Sequence, residues 1–291
     1  MTITTVAFLA RIIGLLTLAL SLAACSAVKL GYNNLPEVTY WWLDGYVDFE
    51  DGQDQRVRED LARLHTWHRG AELPRYGELL QRMERLAAKD LVPAQVCAFE
   101  PDLRERFQVL ADRAEPAVVT MALSLTPAQL QHLERKYAKN NAEYRRDWLR
   151  LTPAELTDKR VKQLLERFEM VYGNLGDAQR AALRQQVERS PFDAQRVLAE
   201  RQRRQRDTLE TLRKVTGGAP LDEARVLMRG LFERTLKSPD PAYRAYQEAA
   251  VQAFCSTVAV VHNSTTAVQR ENAVRRLRAY QRDVGELTAV R

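Results

Sequence analysis

An apolar run, Ile12 to Leu22, opens the chain, and from about residue 37 apolar residues recur at helical spacing. Val57, Leu61, Leu64 and His68 fall on one face, and Leu73, Tyr76, Leu80, Met83 and Ala87 give the next stripe. Steps of three and four residues bring side chains to one side of a helix with about 3.6 residues per turn. Pro93 opens another helix, with Leu103, Phe107, Leu110 and Ala114 as its stripe. Pro101 and Pro116 mark starts or kinks, because proline lacks the N–H that a helix interior uses. Long Val/Ile/Thr alternations are missing, so nothing argues for sheet. The pattern predicts an all-α fold, a multi-helix bundle or stacked helical hairpins.

One punctuation recurs. Leu125-Thr126-Pro127-Ala128-Gln129 and Leu151-Thr152-Pro153-Ala154-Glu155 each read as a helix start: Thr at the N-cap, Pro at N1, and Gln or Glu at N3 closing a capping box. Leu125 with Leu130, and Leu151 with Leu156, are placed as hydrophobic staples. Leu175-Gly176-Asp177-Ala178-Gln179 starts a shorter helix, and the last helix begins near Thr266 with Gln269 at N3. Asn140-Asn141 interrupts the stripe between Tyr137 and Tyr144, where a polar pair serves helix register better than catalysis. Gly217-Gly218-Ala219-Pro220 is the strongest break. The expected organisation is a signal peptide over 1–24, a lipidated tether over 25–36 and a main body over 37–216. A joint at 217–220 and C-terminal helices over 221–291, folding back on the body, complete it.

The first apolar run is too short to span a bilayer, which takes about 20 residues, and it fits the core of a signal peptide behind Arg11. Leu22-Ala23-Ala24-Cys25 follows, the pattern of a bacterial lipobox, whose cysteine receives diacylglycerol. The acyl chains on Cys25 anchor the protein and are the only attached group expected; no cofactor is. Ser26, rather than Asp, after the cysteine favours outer-membrane sorting by resemblance to Gram-negative lipoproteins. The expected location is the periplasmic face of that membrane. Tyr40, Trp41, Trp42, Tyr46 and Phe49 then form an aromatic cluster, which reads as a core patch, with a place in the membrane interface as the alternative. Cys97 and Cys255 remain. In an oxidising compartment two leftover cysteines pair, the alternative being two separately buried thiols.

The composition is ordinary for a globular chain: 45% hydrophobic and 28% charged over 291 residues, with a net charge of +6. Arginine dominates the bases, and acids are interleaved almost everywhere. The run Arg201, Arg203, Arg204 and Arg206 is a solvated face or a contact for an anionic partner such as lipid head groups. Nucleic acid is not an expected partner of an exported chain. His65, His68 and Glu72 could share a helical face as metal ligands. No HExxH or CxxC supports them, and His68 on an apolar stripe is more simply a hydrogen-bonded core histidine. P-loop, GxSxG, GxGxxG and SxxK patterns are absent, so no catalytic residue is assigned.

With its Leu22-Ala23-Ala24-Cys25 and Tyr32-Asn33-Asn34, the chain resembles an uncharacterised family of Gram-negative lipoproteins over nearly all its mature length. Trp67-His68-Arg69, Glu72-Leu73-Pro74-Arg75-Tyr76 and His262-Asn263-Ser264-Thr265-Thr266 carry the same resemblance. It implies a helical fold and lipidation, and no activity. Locally, Leu125-Thr126-Pro127-Ala128-Gln129 resembles the LTxxQ motif of Spy/CpxP-type periplasmic chaperones, which are all-helical and hold unfolded clients. The expected function is a non-enzymatic binding or structural module of the envelope, chaperone-like in one version. The alternative is an envelope enzyme acting on cell wall or lipid.

Overall fold

The computed structural model describes residues 28–289; the segment expected to be a signal peptide, and Cys25, lie outside the described residues. Twelve α-helices follow one another: α1 Leu35–Val47, α2 Asp51–Ala71, α3 Leu73–Ala87, α4 Pro93–Cys97, α5 Glu100–Ser124, α6 Pro127–Tyr144, α7 Pro153–Tyr172, α8 Asp177–Arg189, α9 Ala194–Thr216, α10 Leu221–Leu236, α11 Pro241–Asn263 and α12 Ala267–Ala289. A π-helical turn, Arg145–Leu149, ends α6. The described residues include no strand. The expected tether is in fact helical from residue 28, where Lys29 pairs with Glu286 and Asp283 of α12.

Two apolar cores share the helices between them. Val119 and Ala122 of α5, Leu130 and Leu133 of α6, Leu209, Leu212 and Val215 of α9, and Ala224 of α10 fill the first. Ala87 of α3, Phe168 and Tyr172 of α7, Leu183 and Val187 of α8, Val261 of α11 and Ala273 of α12 fill the second, with Leu175. Helices α3 and α12 run antiparallel along their length. Gly77 approaches Val284, Glu84 accepts hydrogen bonds from Arg278 and Gln281, and Asp90 pairs with Arg270. The break at 217–220 is a turn inside the first core, since Val215 before it and Ala224 after it are buried together. Gly218 there holds φ +103, a backbone conformation that a Cβ would strain.

Four helix starts are tied together in pairs. Gln53, Gln129, Gln179 and Gln269 occupy N3 of α2, α6, α8 and α12, and all four are buried. Each Oε1 accepts its own N-cap N–H, from Glu50, Thr126, Gly176 and Thr266 respectively, at 2.8–3.2 Å. Each Nε2 donates across to the carbonyl two residues before the partner's N-cap. Gln53 reaches Ser124 O (2.8 Å) and Gln129 reaches Asp48 O (3.0 Å). Likewise Gln179 reaches Ser264 O and Gln269 reaches Asn174 O, both at 2.8 Å. The two glutamines of each pair also bond each other. The same local two-fold knot therefore occurs twice, once beside each core. It satisfies amide groups that burial would otherwise leave costly.

Candidate functional site

Helix α5 begins with Pro101 in its first turn and acids Glu100 and Asp102 beside the N–H groups left unpaired there. It then runs through Pro116, whose own carbonyl accepts the Thr120 hydroxyl at 2.9 Å. Leu103, Phe107, Leu110 and Ala114 form the apolar stripe of this helix, and such a stripe ordinarily faces a core. Instead Leu103 and Phe107 are exposed, and helical spacing carries their face on to Val118, also exposed.

That face opens into a groove of about 500 Å³. Val57, Leu61 and Leu64 of α2 form one wall, Leu43 and Val47 of α1 with Phe49 another, and Met228 and Leu231 of α10 a third. The small residues Ala114 and Ala117 of α5 leave the space between them, with Val118 and Met121 alongside. The ionisable groups among its lining residues are Asp60, Arg63 and Arg113. A second hollow of about 280 Å³ continues around α5 towards α10, sharing Ala114, Val118, Thr208, Met228 and Leu231 with the first. Arg229 and Glu115 pair at its edge at 2.7 Å. Asp112, Glu115, Arg229 and Glu233 are among the lining residues of the second hollow, and the two together make an open, mainly apolar channel suited to an extended apolar guest.

The residues singled out in the sequence lie elsewhere. His65 Nε2 contacts the Tyr32 carbonyl at 3.0 Å and His68 Nδ1 the Tyr32 hydroxyl at 2.9 Å, so both histidines seat the helical segment that precedes α1. Burial pushes both imidazoles below their ordinary pKa. Glu72 is buried and pairs with Arg106 at 3.3 Å. A common metal position for His65, His68 and Glu72 is thus replaced by separate structural bonds, and no group of three or more His, Cys, Asp or Glu among the described residues is arranged to hold a metal ion.

Within the arginine run, read as a solvated face or an anionic-partner contact, Arg203 and Arg204 turn inward. Arg203 and Arg204 both bond buried Glu200 at 2.9 Å, with the Ser238 hydroxyl joining at 3.1 Å. Burial alone would raise the Glu200 pKa, but the two guanidinium groups outweigh it and hold it below the usual value. Arg203 also pairs with Asp207, which Arg234 clamps from α10. Arg201 stands over the Tyr144 ring, leaving Arg206 exposed.

Cys97 at the end of α4 and Cys255 in α11 are joined as a disulfide, their Cα atoms 5.6 Å apart. Asn140 donates to the Tyr46 hydroxyl (2.8 Å) and Asn141 to Gln205 (2.7 Å), tying α6 to α1 and to α9. The aromatic cluster divides. Tyr40 is buried and Phe49 lines the groove, whereas Trp41 and Trp42 are both exposed, against the expectation of a single core patch.

The model of a family of unknown function (DUF6279) matches residues 45–229. The chain belongs to this family. The match runs from the end of α1 into α10, a narrower span than the resemblance over the whole mature chain, and it takes in most of the groove. No curated protein and no solved structure matches the chain, so the LTxxQ likeness rests on its own residues.

The groove was missed in the sequence because its walls come from five helices, with α1 and α2 separated in the chain from α5 and these from α9 and α10. The one local signal was an apolar stripe on α5 interrupted by alanines.

Proposed function

We propose that this chain is a lipid-anchored periplasmic binding module of the outer membrane whose groove along α5 holds extended apolar segments of unfolded envelope proteins. The observation that carries the reading is the channel itself: mainly apolar walls on α1, α2, α5, α9 and α10, open to solvent. Contiguous exposed apolar surface is costly to a protein that does not use it. The lipobox at Cys25 supplies the anchor and the compartment.

The test is suppression of aggregation of a heat-unfolding reporter enzyme. The chain is expected to suppress it near stoichiometric ratio, and Val118→Asp, which sets a carboxylate in both hollows, to weaken suppression about tenfold. Val226→Asp, at an exposed α10 position outside the lining, is the control and should match the parent. A parent without suppression, or equal loss in both variants, overturns the groove reading. Fatty-acid labelling of the parent, abolished in Cys25→Ser, tests the anchor separately.

A further inference from the structure

The helix that begins the described chain has an unusual outer face. Backbone bonds from Asn34 N to Leu30 O (3.1 Å) and from Val38 N to Asn34 O (3.0 Å) carry it nearly unbroken from residue 28 through α1. At about 100° per residue, Val28, Leu30, Leu35, Val38, Trp41 and Trp42 fall within an arc of about 160°. They are exposed by 41, 65, 44, 59, 60 and 60%. The charged residues of the helix, Lys29, Glu37 and Asp44, project off this arc. Its other members are Gly31, Asn34, Gly45 and, at the inner end, the half-buried Tyr46, which packs on the first core; a Cβ at Gly31 would meet nothing within 4 Å. The inward face is ordinary: Tyr40 is buried, and Leu43 and Val47 line the groove.

An exposed helix face normally carries charge, and this one carries two tryptophans and none. We infer that this face lies on the phospholipid surface, as a second membrane contact beside the lipid. The chain outside the described residues ends at this helix. Cys25 is three residues before Val28, so at most about 10 Å of backbone separates the acylated residue from the helix start. Tryptophan prefers the head-group layer, where its ring is buried and its N–H stays wet. At the flanks the Arg58 guanidinium, paired with Glu37 and Asp54, stands over Tyr40 and 5.5 Å from the Trp41 ring, and the Lys136 ammonium is 5.4 Å from the Tyr46 ring. An apolar strip edged by such groups is the form of an interfacial helix. Seated this way, α1 presents its lipid side outward and its groove wall inward, so the channel runs beside the membrane.

The placement rests on the anchor reading, and the test keeps the two apart. The full processed chain is reconstituted into vesicles of phosphatidylethanolamine and phosphatidylglycerol, with and without brominated acyl chains. Two of its four tryptophans belong to the face, so bromolipid should cut total emission about twofold. In Trp41→Gln/Trp42→Gln the remaining emission, from Trp67 and Trp148, should be unchanged by bromolipid. Val38→Asp, on the same exposed face, should reduce quenching while its unfolding midpoint stays that of the parent. Equal quenching in parent and double variant overturns the inference. So does shielding of the two tryptophans without vesicles that grows with protein concentration, which would assign the face to a second copy. If Cys25 carries no acyl chain the anchor reading falls, and the same quenching still reports whether the helix face meets lipid.

Discussion

His262 shows what a single buried side chain decides. It is fully buried, its Nε2 lies 2.7 Å from the Lys89 carbonyl and its Nδ1 2.8 Å from the Tyr172 hydroxyl. A carbonyl only accepts, so Nε2 carries a proton, and in the neutral ring, which burial favours, Nδ1 accepts from the tyrosine hydroxyl. Burial pushes its pKa below the ordinary imidazole value, and pushes the Tyr172 phenol up to about 12. The unfolded chain takes up a proton near pH 6.5 where the folded chain does not, so stability is complete above that pH and lost on acidification below it, by up to about 1.4 kcal/mol per pH unit. Thermal unfolding at pH 7.5 and 5.0 should show the fall, and His262→Gln, which keeps an amide donor for Lys89, should show a smaller one. Only part of this was legible beforehand. His68 on an apolar stripe was read as a hydrogen-bonded core histidine, and it bonds Tyr32. The inward turn of Arg203 and Arg204 was not, because Ser238 and Arg234, which complete their network, lie some thirty residues away in sequence.

At the scale of helices, termination and pairing share the same residues. Thr126 with Gln129 and Thr152 with Glu155 were read as equivalent capping boxes, and both boxes form. They differ in what N3 does next: Glu155 is exposed, whereas the Gln129 amide also donates to Asp48 O and bonds Gln53. Glutamate therefore suits one position and not the other. Gln129→Glu keeps the cap acceptor but places a carboxylate against a carbonyl oxygen, and should cost about 2 kcal/mol. Glu155→Gln should change stability by less than about 0.5 kcal/mol. Chemical unfolding of the two variants decides it, and equal effects would mean that the glutamine knots add nothing beyond their caps. The sequence marked three of the four glutamines as helix-start residues. It left Gln53 unmarked because Glu50 is an uncommon N-cap, and it could not pair any of them, since partners lie 76 or 90 residues apart.

In the whole molecule, long-range ties hold together what chain order separates. The Cys97–Cys255 bond closes a loop of 158 residues between α4 and α11. Replacing both cysteines by alanine should lower stability, by about 5 kcal/mol if chain entropy dominates. The midpoint of the double variant should match that of the parent under reductant, and a midpoint equal to the oxidised parent's would remove the bond from the stability of the fold. All-α architecture was readable from periodicity because each helix advertises its own apolar stripe. The division into two cores was not, because α3 and α7 meet α11 and α12 across the whole body.

The antiparallel match of α3 with α12 has a consequence in time. A polypeptide leaves the ribosome, or a translocation pore, beginning with its amino end. Every helix lining the first core has emerged by Leu236, whereas Ala87 waits for Ala273, near the opposite terminus. During that interval every helix of the first core is available to pack, while α3, α7 and α8, already emerged, still lack Val261 of α11 and Ala273 of α12 against their apolar stripes. A chain released short of its final helix would stay in that state, half finished and adhesive.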